Sequence, residues 1–375
     1  MIDTIILTID RERIKPIAQL SGGAPAWDLQ SKSPGYEKYV KNPSASQLKS
    51  GCYLPRLTGY RRQEKDNQVK SAVKIEFSIP KLLYQNNLDE VSDSQFELVV
   101  RTLRERIKQL GFEVTENVLI NATVSAVHYS KNIRLLGGYT SQMVISELHK
   151  VNLNKRFDLT KARYMNDGQS LCIYSNHHSF IIYDKIADLR RGGKRSIDKD
   201  QSPQQKNAFD KSTNAEILRL EVRLSHKQKV SSLFKELGYT NKPTFRDAFA
   251  TDKSQAVLQN YWSKFIEKNT MLIFAYSVTP QDILKQIALA QPKAKPKALL
   301  YSVGLLQVSR EGNGLRDVRG VLEKRGTPRS WHRLTAEMRL LTTTLQNVRP
   351  REWYDQVKIA LKEYKPIRIS RAYHE

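Results

Sequence analysis

Cysteine is almost missing from this chain of 375 residues, with Cys52 and Cys172 the only two. Two such thiols offer no disulfide framework and no cysteine zinc site, and they suit a reducing compartment. Long apolar runs are missing too. Ile5-Ile6-Leu7 near the start is far too short to cross a bilayer, and no basic region precedes it. Neither membrane insertion nor a secretory signal is therefore expected, and the expected location is cytoplasmic. No His-x-His or His-Glu-x-x-His pattern occurs, which disfavours histidine-rich zinc chemistry. A Gly-x-x-x-x-Gly-Lys-Ser/Thr loop is also lacking, which argues against a built-in helicase motor. No repeat of solenoid period is present.

Negative charge is in short supply. The chain has 62 Lys and Arg against 38 Asp and Glu, for a net charge of +24. An enzyme of small neutral substrates gains nothing obvious from that imbalance. A polyanion-binding protein gains counterion release and faster encounter. An anionic membrane surface or plain solubility would also account for the charge, but no basic amphipathic helix dominates. Nucleic acid is the expected partner.

Periodicity gives the local structure. From Ala72 to Ile79, Val73, Ile75, Phe77 and Ile79 alternate with Lys74, Glu76 and Ser78, the mark of a half-buried strand. Phe96, Val99, Val100, Leu103, Ile107 and Leu110 recur at helical spacing, with Ser92 and Gln95 as a capping box and Gly111 as the stop. A second strand is expected at Val118–Tyr129 and a helix around Ser141–Val151. A hairpin is expected from Leu171–Tyr174 and Ser179–Tyr183 about the turn Ser175-Asn176-His177-His178. The polar stretch at about 192–214 reads as a mobile loop, because another alternating strand, Ala215–Leu224, follows it. Gln291–Lys297, with two prolines and three lysines, reads as a stiff connector. Beyond it, Leu315–Lys324 and Pro328–Leu341 read as short helices within a region from Pro292 that carries 18 Lys and Arg against 8 Asp and Glu. A helix-turn-helix with Arg329, Arg333 and Arg339 on phosphates is one reading, and a small helical domain with a solvated basic face is the other.

These patterns predict an α+β fold. A catalytic domain spans 1–290, an antiparallel sheet with helices on one face, and a small basic helical module spans 298–375. A sheet polar on one side is compatible with antiparallel pairing, not with a doubly wound parallel arrangement. Its polar positions are Lys74, Glu76, Arg219, Glu221 and Arg223, with His128 at a strand end and Tyr183 and Lys185 joining if their strand lies alongside. A phosphodiester resists attack because it is anionic and its leaving alkoxide is poor, and Mg²⁺ or Mn²⁺ relieves both difficulties. Glu76, His128 and Glu221 are sensible ligands for such an ion. Tyr183 supplies a nucleophile whose ester conserves the bond energy, and Lys185 can lower its pKa or hold a phosphate oxygen. Lys74, Arg219 and Arg223 are candidate DNA contacts. The same charges also read as ordinary cross-strand pairs, and His128 as a satisfied strand-end histidine.

In order and spacing, several segments resemble the filamentous-phage and plasmid rolling-circle replication initiators of the gene II/gene X type. They are Met1-Ile2-Asp3, Val73–Leu83, Val127–Ile133, Tyr183-Asp184-Lys185, Leu218–Arg223 and the basic C-terminal region. The resemblance implies a Rep/relaxase-like nicking domain in a bacterial host cell. It implies that Tyr183 nicks one strand at an origin, leaving a 5′-phosphotyrosyl link and a 3′-hydroxyl primer. Origin DNA, as supercoiled duplex and as single strand, and a host helicase and polymerase are the implied partners. Relatives carry aspartate at the position of His128, and Glu76 does not align with the acidic residue of every relative, since the strand can be matched with a two-residue offset that preserves its face. Two other readings stay open: a DNA-binding regulator without chemistry, and a hydrolytic metal-dependent nuclease. Tyr174 is the stand-in nucleophile should Tyr183 prove dispensable.

Overall fold

The computed structural model describes residues 1–17, 36–43, 52–63, 69–149, 162–165, 169–190, 215–267, 279–309, 311–312, 314–322, 325–343 and 351–368. Its strands are β1 (Ile2–Asp10), β2 (Lys15–Pro16), β3 (Tyr36–Lys41), β4 (Arg56–Gln63), β5 (Val69–Ser78), β6 (Phe112–Glu113), β7 (Thr123–Arg134), β8 (Ala162–Met165), β9 (Ser170–Tyr174), β10 (His178–Asp184) and β11 (Ile217–Leu224). A nine-stranded sheet runs in the order β3-β4-β5-β1-β7-β11-β10-β9-β8, while β2 and β6 pair separately. Every pairing in the large sheet is antiparallel. The helices are α1 (Ile79–Tyr84), α2 (Phe96–Gln109), α3 (Glu116–Ile120), α4 (Ser141–His149), α5 (Lys185–Arg190), α6 (Lys227–Glu236), α7 (Phe245–Phe249), α8 (Thr251–Phe265), α9 (Pro280–Ala290), α10 (Pro296–Val308), α11 (Leu315–Leu322), α12 (Pro328–Thr343) and α13 (Glu352–Glu363).

The period-two pattern decides which side of the sheet takes the helices. Ile5 and Leu7 of β1, Ile75 and Phe77 of β5, Val127 and Tyr129 of β7, Phe180 and Ile182 of β10, and Leu218, Leu220, Val222 and Leu224 of β11 share one buried core. Helices α2, α6, α8 and α13 close over that side with Val99, Leu103, Leu233, Phe234, Leu258, Trp262, Trp353 and Val357. Each such side chain contributes about 1.5–3 kcal/mol on burial. The capping box of Ser92 and Gln95 opens the turn ahead of α2, and Gly111, at φ 91°, lies just past its end.

Two expectations give way to local chemistry. The strand expected from Val118 starts at Thr123, because Thr115 accepts a hydrogen bond from the Val118 amide and caps α3. The stretch Gln291–Lys297 is the turn of a helical hairpin rather than a spacer: Pro296 stands at the first position of α10, where its missing N–H costs nothing. Helices α9, α10 and α12 bury Ile283, Ile287, Leu305, Leu306, Met338 and Leu341 in a second, small core.

The domain division at 290–298 shifts accordingly. By packing, α9 belongs with the small core and α13 with the large one, where Trp353, Tyr354, Val357 and Leu361 are buried. Trp353 Nε1 donates to Glu147 Oε2 at 2.9 Å, and Glu147 also pairs with Arg351. Beyond α13, the Lys365 carbonyl accepts from Lys131 Nζ at 2.8 Å. Lys131 is buried on the helix side of β7, where it donates to Glu90 Oε2 at 2.6 Å. Basic composition marked the C-terminal region as one unit, yet the apolar spacing of α13 needs the larger core. The segment 192–214 lies outside the described residues. Among the described residues, no helix is long and apolar enough to cross a membrane.

Candidate metal centre

On the side of the sheet away from the main core, three cross-strand rows place polar groups together. Antiparallel partners share a face, so register alone defines the rows. One runs Thr4, His128, Arg223, Ser179; the next Ser130, Glu221, Ile181; the third Asn132, Arg219, Tyr183. All of them lie on central strands, where neighbours on both sides fix the backbone. Asp3 joins them through an irregularity. The pairing of β1 with β7 shifts between Ile2 and Thr4, which turns Asp3 out of the alternation that sends Ile5 and Leu7 into the core.

Asp3, His128 and Glu221 each present a ligand atom, all within 4.8 Å of one another. Two carboxylate oxygens and an imidazole nitrogen at that spacing fit one divalent ion at about 2.0–2.6 Å from each, a donor set suited to Mn²⁺ and accessible to Mg²⁺. The side chain of Glu221 is 2% exposed, that of Asp3 18% and that of His128 25%, so the cluster opens toward solvent on the Asp3–His128 side.

The surroundings divide the two oxygens of Glu221. Oε1 accepts from Arg223 Nε at 2.7 Å and lies 3.8 Å from His128 Nδ1. Oε2 accepts from the Tyr183 hydroxyl at 2.8 Å and lies 3.7 Å from Arg219 Nε. Burial alone would raise this carboxyl, but Arg223 and then Arg219 outweigh burial and hold it well below the usual range. Asp3 behaves alike, with burial opposed and overcome by Arg219, which contacts Asp3 Oδ1 at 2.6 Å. Arg219 also donates to Ser130 Oγ at 2.8 Å and to the Asn87 carbonyl at 2.9 Å. His128 is lowered by burial, with Glu221 acting against the shift. Its neutral form is the ligand form.

The structure gathers His128, Glu221, Arg219, Arg223 and Tyr183 at one place. Tyr183 is buried, and burial raises its phenol well above its ordinary value of 10. It is a protonated donor to the Glu221 carboxylate. The strand through Tyr183 ends at Asp184, so Lys185 opens α5 instead of continuing β10. Its ammonium still lies 5.7 Å from the Tyr183 ring centre, with Asp188 at 3.6 Å. Burial, with Arg219 adding to it, brings this lysine down to about 8. Glu76 shares the polar side of the sheet but sits on β5 opposite Ile6 of β1 and ion-pairs with Arg56 at 3.7 Å. It is not a member of the cluster. Lys74, exposed on the same strand, lies 5.5 Å from the Tyr60 ring centre. Arg329 and Arg333 are exposed on α12, and the Arg339 side chain lies outside the described residues. Asp3 was missed because regular alternation aligns it with Ile5 and Leu7; its only signal is an acid heading an apolar strand.

The turn histidines lie away from this cluster. His178 begins β10, and its Nδ1 is 2.6 Å from the Tyr261 hydroxyl. Burial lowers its pKa to about 4, against about 6.5 in an unfolded chain. Acid therefore protonates the unfolded state first, and stability held above about pH 6.5 drains away toward pH 4. Urea midpoints measured across that window should fall with acidification, and His178→Asn should flatten that part of the profile.

No family model matches the chain, and neither a curated protein nor a solved structure matches it.

Proposed function

We propose that this chain is a metal-dependent nuclease that cuts a DNA phosphodiester at an ion held by Asp3, His128 and Glu221, with water as the attacking group. The observation that carries the reading is the convergence of those three ligand atoms within 4.8 Å on central strands, beside two guanidinium groups, in a chain of net charge +24. A divalent ion bound there would neutralise the phosphate and polarise its oxygens. Arg219, clamped by Asp3, Ser130 and Asn87, keeps both carboxylates in place. Tyr183 fixes the rotation of Glu221 through Oε2, leaving Oε1 toward His128. Arg223, 42% exposed, is the cation able to reach a phosphate arriving from solvent.

A second reading has one specific observation in its favour: the Tyr183 hydroxyl is 2.8 Å from a ligand carboxylate. In that reading Tyr183 attacks the phosphorus, loses its proton and becomes joined to the 5′ end, while the 3′-hydroxyl leaves as a primer. The buried, firmly protonated phenol favours water. The resemblance to replication initiators gives either route a setting, cleavage at an origin of rolling-circle replication on a Rep/relaxase-like sheet, with a host helicase and polymerase acting afterwards.

Cleavage of supercoiled and of end-labelled single-stranded DNA tests this directly. EDTA should stop it, and Mn²⁺ or Mg²⁺ should restore it. Under the hydrolytic reading, Tyr183→Phe keeps cleavage within about tenfold of the parent, the cost of one orienting hydrogen bond, and denaturing gels show no DNA-linked protein. A protein–DNA adduct that vanishes with the cleavage in Tyr183→Phe would establish the tyrosine route instead. Absence of cleavage with either ion would leave a DNA-binding regulator.

A further inference from the structure

Arg219 and Arg223 flank the same carboxylate but differ in freedom. The Arg219 side chain is 2% exposed and holds Asp3, Ser130 and Asn87. The Arg223 side chain is 42% exposed, and its Nε lies 2.7 Å from Glu221 Oε1. That oxygen is the one facing His128 Nδ1, at 3.8 Å, and so the one a shared ion would take. An oxygen already accepting from a guanidinium is a weaker metal ligand, because its electron density is committed to another cation. Charge points the same way. Asp3, Asp188 and Glu221 balance Arg219, Arg223 and Lys185, and a divalent ion leaves the cluster with surplus positive charge that an anion would relieve.

Resting on the metal reading above, we propose that Arg223 is a coupling residue. It gives up Glu221 Oε1 when a divalent ion binds and turns to the phosphodiester, so that ion and nucleic acid each tighten the binding of the other. Arg219 cannot make this exchange, since it is itself buried and would abandon Asp3, Ser130 and Asn87 at once. The consequence is a site that engages its ion strongly only when a nucleic-acid strand is present. Linkage makes the effect reciprocal: whatever factor DNA adds to ion affinity, the ion adds to DNA affinity.

Free and bound Mn²⁺ can be counted by electron paramagnetic resonance, using full-length protein with and without oligothymidylate and correcting for Mn²⁺ held by the oligonucleotide alone. Oligothymidylate should tighten Mn²⁺ binding to the parent protein on the order of tenfold. Arg223→Gln, a change at a half-exposed side chain outside the core, should bind Mn²⁺ more tightly than the parent without DNA and lose most of the tightening with it. Removal of a nearby positive charge that merely repelled the ion would give the first result without the second. The proposal is overturned if Arg223→Gln binds Mn²⁺ no better than the parent, or keeps the full oligonucleotide effect. If the parent binds no Mn²⁺ that Glu221→Gln abolishes, the metal reading itself fails, and the coupling with it.

Discussion

Glu221→Gln should weaken Mn²⁺ binding by about a hundredfold or more and take cleavage down with it. Loss of an outer partner of a metal ligand already costs about 10–100-fold, and under the proposed metal reading this change removes an anionic ligand itself. The substitution is nearly isosteric. A glutamine oxygen can still accept from Tyr183, and Arg219 retains Asp3, Ser130 and Asn87. The structural cost should stay at about 1–3 kcal/mol, that of imperfectly paired buried groups. Ion titration by paramagnetic resonance, alongside urea unfolding, separates the two effects. Ordinary Mn²⁺ affinity in the variant would mean that Glu221 is only a link in an arginine network.

Trp353→Ala should remove about 4 kcal/mol from the stability of the large core, within the usual range of about 3–5 kcal/mol for truncating a buried aromatic. The indole is buried on α13 and donates to Glu147 on α4, and the ring meets Tyr354 edge-on at 6.0 Å. Truncation opens a cavity and also strips a donor from Glu147 Oε2, leaving Arg351 as the remaining partner of that carboxylate described above. Leu300→Ala, at a 62% exposed position of α10, is the matching control and should leave the midpoint nearly unchanged. A loss below about 1 kcal/mol for Trp353→Ala would mean that α13 docks loosely and that the basic C-terminal region is one unit after all.

The legible parts of this fold were those in which neighbours along the chain carry the whole signal. Alternation in Val73–Phe77 and Leu218–Leu224 gave two strands and their faces. The spacing of Val99, Leu103 and Ile107, with Ser92 and Gln95 ahead of them, gave α2. Partners distant in sequence were not legible. Trp353 reads as part of a basic tail until the core it enters is known. Glu76 and Glu221 look equivalent, each an acid on the polar face of an amphipathic strand, and only strand order separates them: β11 lies beside β7 and its histidine, while β5 lies beyond β1. Lys131 followed no pattern at all, being a cation on the apolar side of β7 that is matched by Glu90 from a distant loop.

The register shift near the start of β1 has a consequence for protein engineering. A chain optimised for ideal pairing would restore strict alternation through Ile2, Asp3 and Thr4, rotating the aspartate toward hydrocarbon and removing it from the candidate ion cluster without altering a single codon for it. Sheet regularity and chemistry are therefore in conflict at this position. Stabilising designs that leave every functional side chain untouched should still spare the imperfect ladder that aims one of them.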